Sequence, residues 1–251
     1  MPSYEPVTAL LRGLTVLEAV AAAGAASIKD LHARTGIPKA TLVRILETLI
    51  HAGYVYCSGA QPLYALTARP LNLAAGFDKG RHLVAVVGPI LVEFQAAIPW
   101  PSDLGMFDRD AMVILETSRR PGVLSVSRRV GSRVTAVRTA LGRAYLAFLP
   151  DRQRQAALIE LKALAEEPKN IARFDADLAV TRARGYALSD QENQPDIRAI
   201  AAPVFDGSGV VASVNVIVVA EAMSIAELQE RYSRQLLAIT ARMSAALRGA
   251  A

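Results

Sequence analysis

The 251-residue chain has one cysteine, Cys57, and three histidines, His32, His51 and His82. One cysteine excludes an intramolecular disulfide, and so few cysteines and histidines exclude a zinc site built from them. Aromatic residues make up 6% of the chain, with Trp100 the single tryptophan. No apolar run approaches the roughly 18–20 residues that cross a bilayer, and the opening MPSYEPVTALLRG has no signal-peptide core. The expectation is a soluble, cytoplasmic protein without a membrane partner. Internal repeats, low-complexity tracts and a glycine-rich phosphate loop are all missing, since Gly207-Ser208-Gly209 is no more than a turn. The histidines and Cys57 fall in or near the first third of the chain. The carboxylate pair Asp108/Asp110 sits on a predicted turn, where solvation explains it. With no nucleophile–base constellation, an enzyme is disfavoured, although a small mixed domain can host catalysis. No metal and no cofactor is expected.

What is present is a hydrophobic content of 52%, enough for a sizeable core and for one large or two modest domains. The net charge of +5 fits nucleic acid or acidic small molecules and proves neither. Its placement says more. Residues 1–77 contribute +2 and residues 78–251 contribute +3, while 109–143 alone carries eight arginines against Asp110 and Glu116.

The spacing of Val7, Leu10, Leu11, Leu14 and Leu17 predicts an amphipathic helix over 7–23, closed by Gly24. Ser27 with Asp30 three residues on is a capping-box start for a short second helix that Gly36 ends. Pro38 opens a third helix, whose Leu42, Ile45, Leu46, Leu49 and Ile50 form the inward stripe, with Gly53 after it. Tyr54–Tyr56 and Leu63–Leu66 are β-favouring runs joined by the polar SGAQP turn. The order is that of a winged helix-turn-helix. Residues 67–97 read as a linker helix followed by the first helix of another domain, with interruptions near Gly76–Gly80 and at Pro89. Beyond residue 99, SDLGMFD and AMVILETS form a hairpin, and 141–149, 151–164 and 170–184 are helical. YALSD, IRAIAAPVFD and VVASVNVIVVA are strands, and a last helix fills 224–248. This order predicts an α+β chain: a DNA-binding domain over 1–66, a linker helix over 67–80 and an antiparallel-sheet domain over 81–251.

A helix-turn-helix puts the start of its second helix into the major groove. Pro38, Lys39, Ala40, Thr41 and Arg44 occupy that place here. Lys39 and Thr41 can reach phosphates or base edges, Arg44 a guanine or the backbone, and Ala40 at most a thymine methyl. Ser27 joins this set at the head of the preceding helix. Tyr54 and Tyr56 either pack the hairpin or touch the sugar–phosphate backbone. An ordinary helical hairpin with solvated charges is the plain alternative.

LLRGLTVLEAV followed by SIKDLHARTGIPKATLVRILETLIHAGYV resembles the DNA-binding half of IclR-type (isocitrate lyase regulator) transcription factors. RTALGRAYLAFLP resembles that family's glycine-containing sensor helix, and RGYALSD with IRAIAAPVFDGSGVVASVNVIV its closing strands. WPSDLGMFDRDAMVILET is similar to activators of aromatic-acid catabolism of the phenylpropionate pathway type. The resemblance implies a winged helix that binds operator DNA and a GAF-like C-terminal domain that binds a small effector. It further implies homodimers through the DNA-binding domains or homotetramers; operator affinity or engagement of RNA polymerase would be what an effector alters. Ala40 and Leu141 depart from the family, which often has Ser at the first position and a small residue at the second. By position, the effector pocket would be lined by Ala140, Leu141, Ser189 or Asp190, Ala199, Asn215 and Ile217, with Trp100, Met106 and Phe107 as further wall or as plain core. An apolar pocket with few polar groups suits an aromatic ring bearing a carboxylate or a hydroxyl.

Arg119, Arg120, Arg128, Arg129, Arg133, Arg138 and Arg143 cannot all line one pocket. Arg133 or Arg138, beside the sensor helix, is the candidate to clamp a carboxylate through its planar fork. Effector binding is expected to act on the DNA-binding domains through residues 67–97. Two rivals stay open: an enzyme acting on an aromatic acid, and a DNA-binding protein whose C-terminal domain only oligomerises. Activation and repression are equally compatible with these residues.

Overall fold

The computed structural model describes residues 4–59, 62–76, 78–118, 129–163 and 171–250. The chain divides into two compact units, Met1–Asp78 and Lys79–Ala251.

In the first unit, α1 (Thr8–Ala23) stops at Gly24, whose φ of 75° is open to a residue without Cβ. A two-residue strand β1 (Ala25–Ala26) leads to α2 (Ile28–Thr35), and α3 (Lys39–His51) follows. The turn between the helices is built by side chains as well as by Gly36 in the left-handed region. His32 Nδ1 lies 2.8 Å from the Ile37 carbonyl and donates to it, and the Thr35 hydroxyl accepts from Ile37 N at 3.2 Å. β2 (Val55–Ser58) and β3 (Leu63–Leu66) form the wing, with sheet order β1-β3-β2, all antiparallel. Val16, Val20, Leu31, Leu42, Leu46 and Val55 fill the core. β1 is absent from the sequence reading because two alanines carry neither alternation nor β-propensity. Ala60 and Gln61 of the SGAQP turn lie outside the described residues. The inward stripe of α3 is narrower than expected: Leu42 and Leu46 are buried, whereas Ile50 is exposed. On α1, Leu10, Leu11 and Leu14 are each at least half exposed, and Val16 and Val20 point inward instead.

Where one linker helix is expected over 67–80, the chain forms a five-residue helix, α4 (Leu71–Ala75), and then begins α5 (Asp78–Ala97). The interruption expected at Pro89 is also corrected, because α5 runs through it. Gly88 precedes the proline and has no Cβ to clash with the proline ring, so the helical backbone survives there.

The second unit continues with β4 (Asp103–Asp108), β5 (Ala111–Thr117), β6 (Arg133–Thr135), α6 (Ala140–Phe148), α7 (Asp151–Ala163), α8 (Ile171–Arg184), β7 (Ala187–Asp190), β8 (Ile197–Phe205), β9 (Val210–Val219) and α9 (Ile225–Gly249). The fold is thus α+β, with a six-stranded antiparallel sheet in the order β6-β5-β4-β9-β8-β7. Arg109, at φ 60°, makes the β4–β5 turn. Period-two alternation divides the central strands between two cores. Ile200, Ala202, Val204, Val214, Val216 and Val218 face α5 and α9, which present Leu83, Val87, Leu91 and Phe94, and Leu228, Tyr232, Leu236 and Met243, at helical spacing. Ala199, Ala201 and Ile217 face Ala140 and Ala144 of α6. Pro203 is tolerated in β8 because β7 pairs β8 only over Arg198–Ala201, so its missing N–H removes no ladder bond. Arg119, Arg120 and Arg128 lie outside the described residues.

Candidate functional site

The start of α6 is placed by one glycine and one threonine. A Cβ on Gly142 would lie 2.1 Å from the Ala136 carbonyl oxygen, so the helix approaches the 136 backbone more closely than any side chain permits. Thr139 caps the helix, its hydroxyl accepting from Gly142 N at 3.2 Å and donating to the Thr135 carbonyl at 2.6 Å. The amides of Ala140 and Leu141 have no intrahelical partner, as in any first turn. At the other end, the Arg182 guanidinium donates to the carbonyls of Ala147 and Leu149.

Against this helix start lies a cavity lined by Thr139, Ala140, Leu141, Ser189, Asn193, Ile197, Ala199, Asn215 and Ile217, with a volume of ≈ 20 Å³. That is room for about one water molecule. Six of the residues assigned from the sequence meet here: Ala140, Leu141, Ser189, Ala199, Asn215 and Ile217. Their roles differ from expectation at two positions. The Leu141 side chain points onto the sheet, with its Cδ2 3.1 Å from where a Gly105 Cβ would stand, and belongs to the core with Met112 and Ile114. Both polar atoms of Asn215 are engaged by Asp103: Asp103 N donates to Oδ1 at 2.7 Å, and Nδ2 donates to Asp103 Oδ2 at 3.3 Å. Asp103 is fully buried and also accepts the Thr117 hydroxyl at 2.6 Å. The Ser189 hydroxyl donates to the Arg138 carbonyl at 2.9 Å.

The remaining candidates lie elsewhere. Trp100 and Met106 pack against the α5/α9 core, across the sheet from the cavity, because Met106 alternates with the cavity-side Gly105. Phe107 stacks on Tyr145 with ring centroids 5.3 Å apart. Arg133 is on edge strand β6, paired with Asp108 at 2.8 Å and with Asp110, and hydrogen bonding to Asp108 holds its pKa above the ordinary value. Asp190 pairs with Arg198 at 2.6 Å. Arg138 touches the cavity residue Ser189 through its carbonyl, and its side chain is exposed. Among the described residues, no arginine lines the cavity, so the expected guanidinium clamp is absent from it. The sequence reading missed Thr139, Asn193 and Ile197. Thr139 carried a legible signal, a hydroxyl residue just before an apolar helical run.

In the first unit, Pro38, Lys39 and Ala40 are exposed at the head of α3, and Arg44 is exposed one turn beyond Ala40. Pro38 provides no side-chain cap, which leaves the first amides of α3 open toward solvent or an anion. Thr41 is half-buried. Ser27 has a structural role: its hydroxyl and backbone N–H both donate to Asp30, at 2.7 and 3.0 Å, holding that carboxyl below the usual range. Tyr54 is half-buried under the Arg69 guanidinium, 5.3 Å from its ring centroid, which is packing; Tyr56 is exposed on the wing. A larger depression, ≈ 690 Å³, runs between α1 and α3 and is lined by Leu10, Leu14, Leu17, Thr41, Arg44, Ile45 and Leu49 among others.

Two family profiles match the chain: the "IclR helix-turn-helix domain" over residues 9–57 and "Bacterial transcriptional regulator IclR C-terminal" over residues 78–245. The chain belongs to the IclR family. It is 30% identical over 241 residues to the Pca regulon regulatory protein of Pseudomonas putida, covering 92% of this chain and 81% of that one. It is 27% identical over 214 residues to the transcriptional repressor IclR of Escherichia coli, covering 82% and 77%. In fold it is similar to an IclR homologue from Microbacterium hydrocarbonoxydans solved with 4-hydroxybenzoate, at TM-score 0.73, with 19% identity and coverage of 96% and 100%. These relatives are transcriptional regulators, not enzymes, and this IclR-family chain is a DNA-binding transcriptional regulator with a helix-turn-helix and an antiparallel-sheet domain. Among the described residues, no helix is long and apolar enough to cross a membrane.

Proposed function

We propose that this regulator controls a catabolic operon from the cytoplasm in response to a small aromatic carboxylic acid bound at the start of α6. The observation that carries the reading is the cavity itself. It joins the first turn of a helix to three strands, with apolar walls from Ala140, Ala199, Ile197 and Ile217. The helix N-terminus, with the open amides of Ala140 and Leu141, takes the role first given to an arginine, because a carboxylate is stabilised there by donors and dipole together. The apolar strands take the ring. A protein of the same fold holds 4-hydroxybenzoate, which makes that acid the first ligand to try. At ≈ 20 Å³ the cavity must enlarge to admit it, since even benzene occupies an engineered cavity of roughly 150 Å³.

Operator contact falls to Lys39, Ala40, Thr41 and Arg44, with Tyr56 on the wing and a phosphate at the open amides of α3. The apolar groove between α1 and α3 suits a second copy of the chain, placing two recognition helices on successive half-sites. Tetramers and contact with RNA polymerase complete the reading, and segment 67–97 transmits effector occupancy. The test is thermal shift of the full chain against 4-hydroxybenzoate and a panel of aromatic and keto acids, alongside operator binding by anisotropy. An aromatic acid should raise the melting temperature of the C-terminal unit and change operator affinity. Operator binding with no ligand response would leave the domain as an oligomerisation module and end the sensor reading.

A further inference from the structure

The cavity is nearly full, and the β7–β8 turn, Gln191–Asp196, borders it through Asn193. The two parts of this turn are held differently. Its root is fastened to the sheet by Arg198, whose Nε meets Asp190 at 2.6 Å, whose Nη2 donates to the Gln191 side chain at 3.2 Å, and whose Nη1 donates to the carbonyls of Ala220 and Met223. Backbone bonds reinforce it, from Gln191 N to the Ile197 carbonyl and from Ala220 N to that of Asp196, at 3.0 and 2.8 Å. The tip is tied to the sensor helix through one side chain. Arg143, one residue after Gly142, donates from Nη1 to Glu192 Oε1 at 2.7 Å and from Nη2 to Oε2, a fork-to-fork pair. The arginine is itself aimed from below, because its Nε donates to the Val137 carbonyl at 2.8 Å. Its side chain is 11% exposed and that of Glu192 39%, so the pair sits at the boundary between cavity roof and solvent.

We propose that the β7–β8 turn is the lid of the effector cavity and that the Arg143–Glu192 ion pair is its latch. The inference rests on the reading of this cavity as the effector site. A charge-assisted bond to a half-exposed carboxylate is weak enough to break often, and a turn anchored at its root swings without unfolding the strands. Opening gives the added volume that a ring needs, and closure over the ligand shields it from water. Arg143 and Glu192 are therefore positioning residues for the lid.

The test uses the full chain without ligand. Glu192→Gln keeps the shape of the tip and removes the charge. Hydrogen exchange is read at residues 191–197 and at the amides of Ala140 and Leu141, which have no helical partner and are protected only by burial in the cavity floor. Both sets should exchange roughly 1.5- to five-fold faster in the variant, with β9 and α9 unchanged. Arg143→Lys, which keeps the charge and loses the fork, should shift exchange the same way. Unchanged exchange at 191–197, or a faster turn with unchanged Ala140 and Leu141, overturns the lid. With 4-hydroxybenzoate as probe, stopped-flow association should be faster in Glu192→Gln, because more molecules are open; a slower association would mean that the pair only builds the site and would also overturn the latch. If neither protein takes up this or another aromatic acid while exchange rises as expected, the lid stands and the aromatic-acid reading fails.

Discussion

Replacing Gly142 by alanine is the sharpest perturbation that the sensor unit offers. The added Cβ would stand 2.1 Å from the Ala136 oxygen and 2.2 Å from its Cα, both backbone atoms, where about 3.4 Å is ordinary contact. More than 1 Å must therefore come from moving the first turn of α6 or the 136 segment, and neither is a flexible side chain. Thr139 and Ala136 are buried, and the Thr139 hydroxyl bridges the helix to the Thr135 carbonyl, so the shift also strains the cap. Overpacking of this kind costs about 1–3 kcal/mol and more when backbone must move. At roughly 2–4 °C per kcal/mol for a unit of this size, a loss near 3 kcal/mol lowers its melting temperature by about 6–12 °C. Trp100 is the single tryptophan and lies against the sensor-unit core, so its fluorescence reports that unit alone. Gly207→Ala is the control, since nothing lies within 4 Å of its Cβ position and its φ is not left-handed. A Gly142→Ala protein that melts with the parent would refute the close approach of α6 and the placement of the cavity with it.

Arg44→Ala should weaken operator binding by about 1–3 kcal/mol if the side chain reads a guanine; unchanged affinity and sequence preference in anisotropy titrations would remove Arg44 from the reading surface. Asn215→Ala should destabilise the sensor unit by about 1–3 kcal/mol, since it strips Asp103 of two hydrogen bonds in a fully buried site; loss of ligand binding at undiminished melting temperature would instead make Asn215 an effector contact. Ser27→Ala should cost the DNA-binding unit about 1 kcal/mol through the lost cap, measured by its unfolding in urea. The same bond sets a pH dependence: Asp30 is held below its ordinary 3.8, so its contribution is present above that value and disappears as acid passes below the folded pKa. The parent should therefore lose more stability between pH 5 and pH 2 than Ser27→Ala does.

The helices and most strands were legible because their signals are local: Ser27–Asp30 is a capping box, Gly24 and Gly36 are left-handed stops, and the central strands alternate. What stayed hidden depends on which side chains the tertiary structure brings together. Asn215 reads as a polar group offered to a ligand until Asp103, 112 positions away, is found on both of its atoms. Leu141 reads as a pocket wall until Gly105 makes room for it on the sheet. Leu10 and Leu14 have the spacing of core residues, and their period is real, but it serves a face that the single chain leaves uncovered.

The arginines show the same limit from the side of charge. A surplus at 109–143 suggests an anion, yet Arg133 and Arg143 are engaged by the protein itself. Arg133 closes the β4–β5 hairpin onto the edge strand, and Arg143 joins helix to turn. Beyond that stretch, Arg182 caps the end of α6 and Arg198 fastens the root of the β7–β8 turn to the segment after β9. A planar donor fork matches backbone carbonyls and carboxylates equally well, so a sequence cannot distinguish a fastener from a ligand clamp. On the proposed reading, in which Lys39 and Arg44 contact the operator and two chains pair on it, few cations carry the affinity. Salt titrations of operator binding should then show a shallow dependence for each protomer, with a slope that grows in proportion to the number of protomers on the operator; a steep slope for one protomer would refute this reading.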